Sequence, residues 1–125
     1  MSATDPTSTD LATGVTGKII RFSWTDGPTK GAAHVHVFHE DGTVEWHSAD
    51  QAATHDSGRA GVDRPAFADE AVASGVRLIS YLSSSGFTLT VVLNSLTGRI
   101  AGIASNEKTW VPVHGFFELV PTPGP

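Results

Sequence analysis

The chain predicts an all-β fold, an antiparallel barrel or sandwich, and three observations carry that expectation. Short runs rich in β-branched and aromatic residues recur over 18–25, 33–39, 43–48, 76–82, 87–94, 99–104 and 115–120. Most are separated by turn chemistry: Asp26-Gly27-Pro28, Ser83-Ser84-Ser85-Gly86 and Thr97-Gly98. The runs at 33–39 and 43–48 flank Glu40-Asp41-Gly42, a hairpin signal. Seven or eight short strands at this spacing fit a closed or double-layered antiparallel sheet.

In chain order, residues 1–16 are Ser, Thr, Asp and Gly with little to bury, and they read as a disordered lead. Residues 17–120 form the single domain, long enough for a real core. Its first run, 18–25, ends at the Asp26-Gly27-Pro28 turn, and the hairpin follows. The stretch 49–75 is long, polar and irregular, with Asp56-Ser57-Gly58-Arg59 and Asp63-Arg64-Pro65 inside it. A connection of that length is a lid, a binding loop or an insertion. Within it, 67–74 reads as a short helix or as part of another strand. The remaining runs are short strands, and 121–125 is a flexible tail.

The hairpin carries four of the six histidines. Two registers are open to it. A two-residue Asp41-Gly42 turn sets His36 opposite His47. A three-residue loop closed by a left-handed glycine sets Phe38 opposite Val44, His36 opposite Trp46 and His34 opposite Ser48. The second is preferred. It gathers His34, His36, Phe38, Val44, Trp46 and Ser48 on one face and leaves Val35, Val37, Glu45 and His47 on a partly wet outside. A slip of one residue would exchange the faces.

Composition narrows function. The net charge is −5 with 17% charged residues and no basic run, which argues against nucleic acid. There is no cysteine, so thiolate chemistry and Cys-based zinc sites are excluded. No apolar stretch approaches membrane-spanning length, and the first residues lack the pattern of a signal peptide, so the expected location is the cytoplasm without membrane association.

The order Gly17-Lys18-Ile19-Ile20-Arg21-Phe22, Asp41-Gly42-Thr43-Val44-Glu45-Trp46, Gly75-Val76-Arg77-Leu78-Ile79-Ser80-Tyr81 and Thr88-Leu89-Thr90-Val91-Val92-Leu93-Asn94 with Thr97-Gly98 resembles the MoaF-like group of small lipocalin-type (calycin) barrels. More distantly it is similar to the bacterial phenolic acid decarboxylases. The resemblance covers about 17–120 and implies an up-and-down barrel with an interior pocket for one small molecule. The decarboxylases use a tyrosine pair on the first strand, an arginine and a glutamate. Phe22 and Trp24 stand at the tyrosine positions, Arg59 matches the arginine, and Ser74 falls where the glutamate would be, with Glu70 near but not aligned. The carboxylate-gripping phenols are therefore missing, and fold likeness alone carries no activity.

Three functions follow as expectations. The first is a cofactor-independent lyase, isomerase or cyclase of secondary metabolism, with His34 and His36 as base and acid. Phe22, Trp24, Phe38, Trp46 and Tyr81 would shape its pocket, and Arg59 would anchor a substrate from the connecting loop. The second is a non-catalytic binding protein for a hydrophobic metabolite. The third is a cupin-like metalloenzyme, because His34-x-His36-x-x-x-Glu40 resembles half of a cupin motif that binds a divalent metal. Pro28 and His47 stand where that motif has glycine, and His114 is its late histidine candidate. A small-molecule ligand is the expected partner, and pairing into a homodimer is left open.

Overall fold

The computed structural model describes residues 11, 14–48, 64–83 and 85–120. Among them are eight strands and no helix: β1 Ile19–Trp24, β2 Ala33–Phe38, β3 Val44–Ser48, β4 Phe67–Ala73, β5 Val76–Leu82, β6 Thr88–Asn94, β7 Arg99–Ser105 and β8 Trp110–Val120. Among the described residues no helix is long and apolar enough to cross a membrane. All strands join one antiparallel sheet in the order β3-β2-β1-β8-β7-β6-β5-β4. Each strand lies beside its chain neighbour except β3 and β4. β1 also pairs with β8, which ties the two ends of the domain together.

The sheet curls so that its two edges meet at one isolated bridge, Thr43 with Ala66. Two backbone hydrogen bonds make that seam: Val44 N–H donates to Pro65 O at 2.9 Å, and Phe67 N–H to Gly42 O at 3.1 Å. The core fills the concave side. On β1 the alternation is strict, with Ile20, Phe22 and Trp24 buried and Arg21 exposed. Phe38, Val44, Ile79, Val91, Leu93, Ile100 and Phe117 complete the packed end. Leu11 and Val15, upstream of the expected Gly17 boundary, are also fully buried in this cluster. The backbone N–H of Val15 donates to Asp69 Oδ2 at 3.0 Å, which pins this segment to β4.

The hairpin adopts the three-residue loop. Phe38 faces Val44, His36 faces Trp46 and His34 faces Ser48. Gly42 sits at φ 89°, the left-handed conformation the loop requires. The Asp41 carboxylate accepts from Thr43 N at 3.0 Å and Thr43 Oγ1 at 2.6 Å and closes the turn.

Of the two readings open for 67–74, the strand is the one found, as β4 over Phe67–Ala73. Two features differ from the sequence reading. The last strand starts at Trp110, five residues before the expected start at Gly115. Pro112 hid that extension, yet it lies where β8 runs past the end of β1 and only β7 is alongside, so its missing N–H disrupts little. Glu45, expected on the wet face, is only 3% exposed. His39 Nε2 lies 2.8 Å from its Oε1 and Arg64 Nε 3.7 Å away, and the two cover it.

Candidate functional site

At the end of the sheet opposite the packed core lies a cavity of about 340 Å³. It is built where inward-facing strand positions run out into loops. The end of β1 supplies Trp24, β2 supplies His34 and His36, and the middle of β3 supplies Trp46. The far wall is Tyr81, Leu89, Ala104 and Val113 from β5 to β8. Pro28 and Thr29 from the β1–β2 loop and Ser83, Ser85 and Phe87 from the β5–β6 loop form the rim. Pairing explains the far wall: Tyr81 is opposite Leu89, and Leu89 opposite Ala104. None of the described lining residues carries a formal charge at neutral pH apart from what the two imidazoles can acquire.

His36 is the deepest polar group, 2% exposed. Its ring stacks on Phe22 with centroids 4.0 Å apart and planes 25° off parallel. Nε2 lies 2.8 Å from the Tyr81 hydroxyl. Nδ1 is buried with no hydrogen-bond partner among the described residues. Burial, reinforced by the neighbouring His34, depresses the imidazolium so far that the pKa falls to about 3. His36 is therefore neutral at physiological pH. The same burial pushes the Tyr81 phenol up and keeps it protonated.

His34 sits one inward position closer to the mouth. The Trp24 indole Nε1–H donates to its Nδ1 at 2.9 Å. An indole nitrogen can only donate, so Nδ1 must carry the lone pair and a neutral His34 holds its proton on Nε2. Burial lowers the pKa of this imidazole too. Trp46 meets the His34 ring edge-on at 5.0 Å and remains 40% exposed, so this indole stands at the rim, not enclosed.

The other residues singled out in the sequence are distributed as follows. Phe22 and Phe38 are fully buried but belong to the core beneath the cavity: Phe22 packs under His36 and Phe38 against Phe67. Arg59 lies outside the described residues. Glu40 is exposed in the hairpin turn, away from the cavity lining that holds His34 and His36. His114 is on the outer surface, with Nδ1 2.8 Å from Asp26 Oδ2. Among the described residues no three His, Asp or Glu side chains come together as a metal-binding group. The adjacent Phe116 and Phe117 point to opposite sides: Phe117 is buried, while Phe116 is exposed with Arg99 5.3 Å from its ring centre. Leu89, Phe87, Ala104 and Val113 escaped the sequence reading as pocket residues. Their inward alternation was legible, but their position at the cavity end depends on the cross-strand stagger.

No family model matches the chain, and no curated protein matches it. Among solved structures, the chain is similar to a protein described as "a putative beta-lactamase from Burkholderia vietnamiensis", with a TM-score of 0.64 and 13% identity. The match covers 85% of this chain and 95% of that one. At that identity the likeness reports the fold, an all-β curled sheet.

Proposed function

We propose that this protein captures one small, largely apolar or aromatic molecule in the cavity at the open end of its sheet. The observation that carries this reading is the cavity itself: about 340 Å³, walled by indoles and aliphatic side chains, with His34, His36 and Tyr81 as its inner polar groups. That volume is within the range of small-molecule sites, roughly 300–1,000 Å³. The likeness to lipocalin-type barrels of the MoaF-like group supports the same reading. The test is equilibrium binding of N-phenyl-1-naphthylamine, a neutral apolar fluorophore. The wild type is expected to bind it with a blue-shifted emission, and Ala104→Phe, which fills the cavity from β7, to lose binding while keeping the far-UV circular dichroism. Equal binding by both proteins would remove the cavity from consideration.

A second reading has its own support. The 2.8 Å contact between His36 Nε2 and the Tyr81 hydroxyl, with His34 beside it, places two imidazoles and a phenol in one apolar site. Such a set can run proton-transfer chemistry of the lyase, isomerase or cyclase type. It is the weaker reading for one physical reason. A general base needs a free lone pair, and that of His34 Nδ1 is already taken by Trp24. A co-purifying ligand identified by mass spectrometry separates the two. Recovery unchanged after prolonged incubation supports capture. Conversion supports catalysis, and His34→Gln should then abolish it.

A further inference from the structure

The hydrogen-bonding polarity of the cavity defines a narrower ligand class. We propose that it selects a neutral aromatic molecule carrying a hydrogen-bond-accepting oxygen, such as an aryl ketone. This rests on the cavity holding a small molecule at all, and it adds which one.

The argument begins at Trp24. Its indole N–H occupies the Nδ1 lone pair of His34, which leaves Nε2–H as that ring's remaining polar group. Nε2 makes no hydrogen bond among the described residues, and it is not counted among their buried unpartnered polar atoms. His34 is therefore a donor of fixed sense on the cavity wall. A ligand group facing it must accept.

The Tyr81–His36 pair can be wired in two ways. In one, Tyr81 O–H donates to His36 Nε2, and the His36 proton must sit on Nδ1. That makes the buried Nδ1 an N–H whose candidate acceptor, the backbone carbonyl of His34, makes no hydrogen bond of ordinary geometry with it among the described residues. In the other, His36 Nε2–H donates to Tyr81 Oη, Nδ1 is a bare lone pair, and the Tyr81 hydroxyl hydrogen is free to point into the cavity. Orphaned buried N–H groups are rarer than under-satisfied acceptors in folded proteins. A ligand acceptor oxygen favours the second wiring because it takes up the freed hydroxyl. A ligand donor would force the first.

Charge narrows the class further. The described lining contains no Lys, Arg, Asp or Glu. Among the described residues a carboxylate or ammonium there would be desolvated without a counter-charge, at a cost that burial of its rings does not offset. Trp24, Trp46 and Phe87 offer ring faces and edges to an aromatic body.

The experiment compares three probes of one shape by calorimetry at pH 7.5: 2-acetylnaphthalene, 2-ethylnaphthalene and 2-naphthoate. The acetyl compound is expected to bind at least about tenfold tighter than either of the others, the effect of one or two satisfied hydrogen bonds. Tyr81→Phe should shrink its advantage over the ethyl compound to about threefold or less. Trp24→Phe, which releases His34 Nδ1 and lets the tautomer vary, should shrink it as well. Equal binding of the acetyl and ethyl probes overturns the selection while leaving capture of apolar molecules intact. Tightest binding of 2-naphthoate also overturns it, in favour of an anion site. An acetyl preference that survives both substitutions overturns the assigned donors. If none of the three binds and N-phenyl-1-naphthylamine fails too, capture itself falls and this selection with it.

Discussion

His36 decides how the protein responds to acid. In the folded chain its pKa is about 3, whereas a solvated histidine in the unfolded chain titrates near 6.5. The folded pKa is the lower one, so below about 6.5 the unfolded chain binds a proton that the folded chain refuses. Stability from this residue is complete above about 6.5 and is lost as pH falls toward 3, at about 1.4 kcal/mol per pH unit. His34 shifts in the same direction and adds to the slope. Urea unfolding at pH 7.5 and pH 5 should show the wild type losing about 2 kcal/mol from His36 over that range. His36→Phe, flanked by Phe22 and Phe38, should flatten the slope, and an unchanged slope in that variant would assign the acid sensitivity to other groups. Beneath His36, Phe22 is fully buried and supports the imidazole by stacking, so Phe22→Ala should cost about 3–5 kcal/mol and loosen the cavity floor.

The strands owe their order to turns and close approaches that single residues permit. A Cβ added at Gly42 would meet no atom within 4 Å, but the residue sits at φ 89°, so Gly42→Ala should cost about 1 kcal/mol through backbone strain alone. Gly102, at the middle of β7, is different. A Cβ there would collide with the Thr90 carbonyl and come within 2.7 Å of Val91 Cα on β6. Gly102→Ala should therefore cost more, about 1–3 kcal/mol, and denaturation midpoints of the two variants check the ranking. Much of this scale was legible in the sequence. Gly42 after Glu40-Asp41 favoured the three-residue loop over the two-residue turn, and from that preference followed the inward face of His34, His36 and Phe38, which the observed register has. What was not legible depended on partners far along the chain. Glu45 reads as a surface residue until Arg64 and His39 are seen to cover it. Pro112 reads as a strand breaker until β8 is seen to outrun β1. The Trp24–His34 hydrogen bond, which changes the chemistry of the site, joins two strands through side chains that no periodicity pairs.

At the scale of the molecule, the pairing of β1 with β8 has an unusual consequence. The strands nearest the two ends of the domain are interior to the sheet, and the edges β3 and β4 come from the middle of the sequence. Those edges are joined among the described residues by one bridge at Thr43 and Ala66, beside the Glu45–Arg64 contact. Edge strands paired on one side open first, because fewer hydrogen bonds and less packing must be broken. Native-state hydrogen exchange should therefore find β3 the least protected part of the hairpin and β1, β8 and β6 the most protected strands. Arg64→Ala should lower β3 protection further with little effect on β8. The cavity links this opening to binding. Trp46 on β3 and His34 on β2 line it, so a molecule held there binds the closed sheet and not the opened edge. By mass action a ligand at about 100 times its Kd should raise the opening free energy of β3 by about 2.7 kcal/mol if the opened form has no affinity for it. Exchange measured with and without saturating N-phenyl-1-naphthylamine gives the answer. Protection that rises at β3 and β2 ties the seam to the cavity, and protection that stays flat there while the probe is bound would place the binding surface elsewhere on the protein.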